Sequence, residues 1–268
     1  MLQLFPGDGC GNRFLLVREA EALAAGEAPS SLAQRLCGGT YDGLLVLGAN
    51  TSGAQAVQIL NPDGSDGGAC LNGLRVAACF SAADRGRLEM AGRVVGWRRV
   101  SGGFELQLPT TFADLEVEAL TLPDGRKGYA VAFWNPHAVF AFDAEAEECK
   151  LAEFDLPSCA ALARKKRERF PTGVNVEVVE GLGACDELRM RVDERGVGET
   201  QACGSGALAV AAAAWEGGSS ARIGVQMPGG RLEIERALNG SIRLRGAART
   251  GPGKSLAELL RGERKAFH

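Results

Sequence analysis

The chain alternates short apolar segments with turn-forming residues, a pattern typical of many strands and few helices. Largely apolar or alternating segments at 43–47, 56–60, 104–108, 138–142 and 174–179 each border on glycine, proline, asparagine or aspartate on at least one side. Apolar and polar residues alternate within 104–108, which predicts a half-buried antiparallel strand. We therefore predict an α+β protein whose sheets are largely antiparallel or mixed.

Two helices are predicted to be buried, one in each half of the chain. Residues 207–215 are small and apolar with almost no polar side chain, so this helix should be enclosed on all sides. Another helix is expected to follow Cys70 and to run to about Ala83. Cys70 and Cys203 both stand in an Ala-Cys-x-x-Gly motif that recurs 133 residues further on in a chain of 268. This spacing predicts two similar halves, each with a central buried helix wrapped by its sheet.

The predicted domain boundary lies in the acidic, turn-rich stretch 110–128. We expect an N-terminal domain over 1–117 that carries Cys70 and a C-terminal domain over 118–250 that carries Cys203. Residues 251–268 form a predicted tail that packs on the N-terminal half. The active site is expected in the cleft between the two halves.

Composition narrows the class of partner. The chain is 46% hydrophobic and 24% charged, with a net charge of −3 and a pI near 5.6. These values indicate a globular protein and argue against nucleic acid or a membrane as the main partner, which favours a small molecule. The N-terminus lacks the features of a signal peptide, so we expect a cytoplasmic location in which the eight cysteines are reduced. With only two histidines, a metal site is not expected.

The two cysteines are the strongest candidates for chemistry. A helix N-terminus has unpaired N–H groups and a positive dipole end, which attract anions and favour a thiolate. Two such thiols suggest proton transfer from opposite sides of one carbon. The alternative is a pair of core cysteines at helix starts, and a Cys-His hydrolase would require His137 beside one of them.

Five segments in the same order resemble the diaminopimelate epimerase family of pyridoxal-phosphate-independent amino-acid racemases. GCGNRF resembles the family's GLGNDF, and the segment from Asn61 to Arg75 resembles NADGSxxxxCGNGxR. ERGVGETQACGSGA resembles ERGxGxTxACGTGA. The two shorter matches are Asn135-Pro136-His137 and the segment Pro171–Asn175 with its buried asparagine.

The resemblance implies a cofactor-independent epimerase that interconverts LL- and meso-diaminopimelate, with Cys70 and Cys203 as the catalytic pair. It implies a homodimer and no cofactor. His137 would orient local structure or substrate. The implied substrate-binding residues are Asn12, Asn61, Asn72, Gly73, Asn135, Asn175, Glu194, Arg195, Gly204 and Ser205.

Several positions depart from the family pattern. Leu71 stands where the family has glycine, and Gly7, Asp8 and Arg13 replace other family residues near Asn12. A racemase of another amino acid on the same scaffold, for example of histidine, is therefore the first alternative. A non-catalytic binding protein that retains the site is the second.

Overall fold

The structure is a computed structural model that describes residues 2–265; Met1 and residues 266–268, the end of the predicted tail, lie outside the described residues. The strands are β1 (Gln3–Gly9), β2 (Asn12–Arg18), β3 (Gly43–Thr51), β4 (Ala54–Leu60), β5 (Arg85–Met90), β6 (Arg93–Val100), β7 (Gly103–Thr111), β8 (Glu116–Thr121), β9 (Lys127–Phe133), β10 (Asn135–Phe142), β11 (Asn175–Glu180), β12 (Glu187–Glu194), β13 (Gly198–Thr200), β14 (Arg222–Met227), β15 (Gly230–Arg236), β16 (Ser241–Gly246), β17 (Arg249–Thr250) and β18 (Lys254–Ser255). The helices are α1 (Glu19–Ala24), α2 (Pro29–Leu36), α3 (Leu71–Phe80), α4 (Leu156–Arg164), α5 (Gly204–Glu216) and α6 (Leu256–Lys265). The predicted α+β class is confirmed.

Contacts divide the chain into two compact units. The first contains residues 1–109 and 246–268, and the second contains residues 110–245. The boundary after Pro109 falls eight residues before the predicted one after residue 117. The residues after β16 belong to the first unit, where β17 and β18 both pair antiparallel with β1. Leu259 of α6 packs there in the same apolar cluster as Leu4 and Leu32.

The first unit is a mixed sheet with α3 packed against it. Along the sheet, β1 pairs antiparallel with β2, β2 parallel with β3, β3 antiparallel with β4, β4 parallel with β5, and β5 antiparallel with β6. Helix α3 connects β4 to β5 and contacts strands from β1 to β6. Its residues from Leu71 to Ala78 are buried.

The second unit repeats this arrangement with different residues. There β9 pairs antiparallel with β10, β10 parallel with β11, β11 antiparallel with β12, β12 parallel with β14, and β14 antiparallel with β15. Helix α5 connects the parallel pair β12 and β14, as α3 connects β4 and β5, apart from the short β13 before it. The predicted duplication is therefore present in the strand pairing as well as in the cysteine motif.

Small side chains make α5 a core helix. Every residue from Gly204 to Trp215 is buried, and most of them are alanine or glycine. Such a helix loses little side-chain entropy on burial and allows strands to approach closely. Strands β9, β10, β11, β14 and β15 all contact it.

Two elements were harder to predict. Strand β8 lies inside the stretch that was expected to be turn-rich. Its alternate glutamates resemble a loop sequence, and its pairing with β9 makes it a strand. Helix α3 ends at Phe80, slightly before the predicted end near Ala83. Within residues 2–265, no helix is both long and apolar enough to cross a membrane.

Tight packing around α5 predicts that an enlarged side chain in this helix lowers the free energy of unfolding. Ala211 is fully buried, whereas Ala20 in α1 is exposed. We expect Ala211→Leu to lower the free energy of unfolding by about 1–3 kcal/mol because the added side chain has no space. Ala20→Leu is the matched control and should change it by less than about 0.5 kcal/mol. Urea unfolding measures both, and equal stabilities would contradict the packing described here.

Candidate active site

Each unit presents one cysteine as the N-cap of its buried helix. Cys70 precedes α3 with φ −137° and ψ 105°, and its sulfur accepts a hydrogen bond from the Gly73 N–H at 3.2 Å. Cys203 precedes α5 with φ −130° and ψ 114°, and its sulfur accepts from the Gly206 N–H at 3.4 Å. Both sulfurs therefore lie at a positive helix end, where negative charge is stabilised.

The glycine three positions after each cysteine lies close to a side chain of a neighbouring strand. A Cβ built on Gly73 would lie 2.8 Å from Leu45 Cδ2, and one built on Gly206 would lie 2.6 Å from Glu177 Oε1. Both distances are shorter than non-bonded atoms tolerate. The first turn of each helix thus packs directly against the strand behind it.

We call Cys70, its helix start and the residues bonded to it the Cys70 site. Asn72 is buried there and donates a hydrogen bond to Asn12 Oδ1, so two predicted substrate-binding residues meet. Asn61 begins the turn before the cysteine and donates from Nδ2 to Ser65 Oγ at 3.1 Å. Gly73 contributes its N–H to Cys70, as described above.

Arg75 is a member of the Cys70 site that was not predicted. It is fully buried in α3, where Nη2 donates to Asn72 Oδ1 at 2.9 Å and to Cys10 Sγ at 3.4 Å. Burial lowers the pKa of Arg75, and negative charge on Cys10, Cys70 or Asp8 opposes that effect. A charged residue within the apolar sequence of α3 was the available signal.

We call Cys203 with the polar side chains around it the Cys203 site. Cys203 is buried, with Ser205 Oγ at 3.4 Å from its sulfur, and Gly204 and Ser205 form the first turn of α5. Burial and the negative charges of Glu194 and Glu177 raise the pKa of the Cys203 thiol well above its ordinary value, against the opposing hydrogen bonds from Ser205 and Gly206. These surroundings favour the protonated thiol.

The end of β12 brings together three more predicted residues. Asn175 Oδ1 accepts a hydrogen bond from the Arg195 N–H at 2.8 Å, and Arg195 Nη1 donates to Thr172 O at 2.7 Å. Glu194 Oε1 accepts from Thr200 Oγ1 at 2.6 Å, while burial raises the pKa of Glu194. Arg195 keeps an exposed side chain.

A buried hydrogen bond between a histidine and a glutamate lies behind Cys203. His137 and Glu177 are both fully buried, and His137 Nδ1 lies 2.7 Å from Glu177 Oε1. His137 was predicted as a supporting residue, whereas Glu177 was missed. The available signal was an acidic residue in the middle of the apolar strand β11. Among the described residues no hydrogen bond joins His137 to Cys203, which a Cys-His hydrolase would need.

Two hairpin turns place equivalent asparagines. Cys10 between β1 and β2 has φ 57°, and Trp134 between β9 and β10 has φ 51°. Asn12 and Asn135 then begin the second strand of each hairpin. Asn135 is half-buried, and the Trp134 ring stacks on Phe133 with centroids 4.7 Å apart.

In residues 2–265 no group of three or more histidine, cysteine or acidic side chains could hold a metal ion.

Comparison with known proteins gives consistent matches. The diaminopimelate epimerase family model matches residues 129–251. A diaminopimelate epimerase from a Synechococcus strain is 33% identical over 84% of this chain and 87% of its own length. One from Bacillus subtilis is 32% identical over 90% of this chain and 94% of its own length. The structure of a probable proline racemase from Agrobacterium radiobacter shares the fold, with a TM-score of 0.67, 14% identity, and coverage of 96% of this chain and 93% of that one.

The raised pKa of Glu194 predicts a specific pH dependence of stability. Folding disfavours the charged form of Glu194. Below the ordinary glutamate pKa the group is protonated in the folded and unfolded states, so it does not affect the free energy of unfolding. As the pH rises from there toward the raised pKa, the group lowers the free energy of unfolding increasingly. Glu194→Gln should therefore be more stable than the parent protein near neutral pH. The difference should vanish below about pH 4.

Urea unfolding at several pH values measures this difference. Glu216→Gln is the control, because Glu216 is exposed at the end of α5. A stability difference for Glu194→Gln that does not change with pH would show that Glu194 is equally charged in both states.

Proposed function

The chain belongs to the diaminopimelate epimerase family, and we propose that it interconverts LL- and meso-diaminopimelate by cofactor-independent proton transfer at the α-carbon. The protein is an isomerase of the amino-acid epimerase and racemase class. The observation that carries the narrower proposal is the recurrence of one arrangement, a cysteine whose sulfur accepts the N–H three residues on at a buried helix start, in both units.

Inversion of an α-carbon needs a base on one face and an acid on the other. In the proposed reaction one thiolate removes the α-hydrogen as a proton, the C–H electron pair stays on the carbon, and the second thiol donates its proton to the opposite face. The proton-accepting and proton-donating roles exchange for the reverse direction. The proposal requires both sulfurs to reach the same carbon, and each turnover leaves the two thiols in exchanged protonation states.

The helix starts also suit the α-carboxylate. Asn72 and Gly73 at α3, and Gly204 and Ser205 at α5, offer N–H and side-chain donors to a carboxylate, which gains negative charge as the α-proton leaves. Fixed donors need no reorganisation during the reaction. This role explains how an α-proton of high pKa is removed without a pyridoxal lysine.

The far end of the substrate is assigned to the remaining polar residues. Arg195 donates one Nη1 hydrogen bond to Thr172 O and retains further guanidinium N–H groups that suit a carboxylate. Glu194 suits an ammonium group. The asparagines that share this role in the proposal donate or accept without net charge: Asn12, Asn61, Asn135 and Asn175.

Leu71 does not prevent this function. It is buried as the first residue of α3 and is absent from the residues with positive φ, so its backbone keeps an ordinary helical conformation where the family has glycine. A racemase of another amino acid remains the second candidate, because Leu71, Asp8 and Arg13 lie close in sequence to proposed substrate-binding residues. The homodimer and the cytoplasmic location stay predictions.

Isotope exchange tests the two-base reaction. In heavy water, early product should carry deuterium at the α-carbon while unreacted substrate stays largely protiated, from either stereoisomer. Cys70→Ala and Cys203→Ala should each lower epimerisation in both directions by roughly 100-fold or more, because each removes the acid of one direction and the base of the other. Mass spectrometry and chiral chromatography measure both effects.

Cys79→Ala is the matched control, since Cys79 lies on α3 at the end away from Cys70. It should retain full activity. Product that keeps its original α-hydrogen, or a Cys70 or Cys203 variant with unchanged turnover, would refute the two-base reaction.

Arg195→Lys tests the substrate assignment. Lysine keeps the charge but loses the guanidinium geometry, so diaminopimelate turnover should fall at least ~10-fold, as expected from a charge-assisted bond of about 1.5–3 kcal/mol. Arg189→Lys is the control, because Arg189 lies on β12, the strand that ends just before Arg195, and is exposed and paired with Glu180. A lower activity toward diaminopimelate than toward a monocarboxylic amino acid in the parent protein would favour the second candidate.

A further inference from the structure

The two sites share a backbone arrangement but differ in the side chain behind the helix start. Gly73 packs against Leu45, whereas Gly206 at the equivalent position packs against Glu177. Leu45 lies on β3 and Glu177 on β11, and these strands hold the same place in the two units because each pairs parallel with the second strand of the hairpin before it.

Strand register extends this equivalence to the partner of Glu177. Phe14 is the third residue of β2 and pairs with Gly43, while His137 is the third residue of β10 and pairs with Asn175. Leu45 follows Gly43 by two residues, and Glu177 follows Asn175 by two. The buried pair Phe14 and Leu45 in the first unit is therefore replaced by the buried pair His137 and Glu177 in the second.

Stability does not explain the replacement. A buried polar pair, charged or neutral, is seldom more stable than well-packed apolar residues of similar volume. His137 Nε2 and Glu177 Oε2 also have no hydrogen-bond partner among the described residues, which adds a desolvation cost. The first unit folds with phenylalanine and leucine at these positions. The polar pair is thus a feature that the fold itself does not require.

The pair lies next to one reactive group. Glu177 Oε1 accepts from His137 Nδ1, since a carboxylate oxygen only accepts, and the same oxygen abuts Gly206, whose N–H donates to the Cys203 sulfur. Two carboxyl groups of the second unit face Cys203: Glu177 from β11 and Glu194 from β12. His137 from β10 acts on Cys203 only through these two groups, by its hydrogen bond to Glu177 and its electrostatic interaction with Glu194.

We propose that Glu177 is a positioning residue for Cys203: it holds His137 by Nδ1 and places a negative charge behind the first turn of α5, which keeps Cys203 as the protonated thiol. The Cys70 site has no carboxylate at the equivalent position, since Leu45 is there. This inference rests on the proposed two-base function, because it concerns which thiol acts first as the acid. Cys203 S–H then donates the proton to the α-carbon as its C–H electron pair is released on the other face.

Thiol alkylation tests the proposal without requiring any enzymatic activity. Iodoacetamide is reacted with the full-length protein over a range of pH, and modification of Cys203 is followed by peptide mass spectrometry. The plateau rate at high pH reports access to the sulfur, and the midpoint of the profile reports its ionisation. Glu177→Gln preserves an acceptor oxygen for His137 and removes only the charge.

In Glu177→Gln we expect the midpoint for Cys203 to fall by at least about 0.5 pH unit, with an unchanged plateau. Below the midpoint the alkylation rate should rise about twofold, because the gain in thiolate is partly offset by its lower nucleophilicity. Glu180→Gln is the matched control on β11, where Glu180 pairs with Arg189 at the surface. It should leave the profile unchanged.

A second variant transfers the first unit's pair to the second. His137→Phe with Glu177→Leu should fold and lower the Cys203 midpoint at least as far as Glu177→Gln. An unmoved midpoint in Glu177→Gln would overturn the proposal, and so would a failure of both variants to fold, which would make the pair structural. A moved midpoint in a protein that does not epimerise diaminopimelate would support the role of Glu177 while refuting the proposed substrate.

Discussion

The structure depends on a hydrogen bond from a backbone N–H to the sulfur of an N-cap cysteine, made once in each unit. It is made at the start of a buried helix, where the glycine three residues after the cysteine lies close to a strand side chain, Leu45 in one unit and Glu177 in the other. Helix α5 consists mainly of small apolar residues, and most residues of α3 are buried. Each helix packs against the mixed sheet of its own unit.

Duplication of the fold has preserved geometry and changed charge. Asn61 and Glu194 occupy equivalent places before the two cysteines, as do Arg75 and Leu208 after them. The Cys70 site therefore contains a buried cation, whereas the Cys203 site contains carboxylates. The proposed two-base reaction needs two similar positions for the sulfur atoms and two different preferences for the proton. Similar backbones with different side chains are consistent with that proposal.

Amide side chains connect segments that lie far apart in the sequence. Asn72 accepts a hydrogen bond from Arg75 and donates one to Asn12. Asn175 accepts a hydrogen bond from the backbone N–H of Arg195. These neutral groups fix the ends of strands and helix starts without adding charge. The proposed binding residues are thereby held in place before a substrate arrives, which lowers the ordering cost of binding.

The sequence alone was sufficient for the α+β class, the buried helices, the duplication and the family. Each rests on a signal within a few residues or on a repeat, such as cysteine followed by glycine at the third position. Tertiary structure decided which distant residues meet, namely Glu177 with Gly206, Arg75 with Cys10, and the chain after Arg245 with the first unit. Those contacts depend on strand register and on packing between segments far apart in the chain. Local patterns of polarity report the conformation of nearby residues, so they carry no information about such partners.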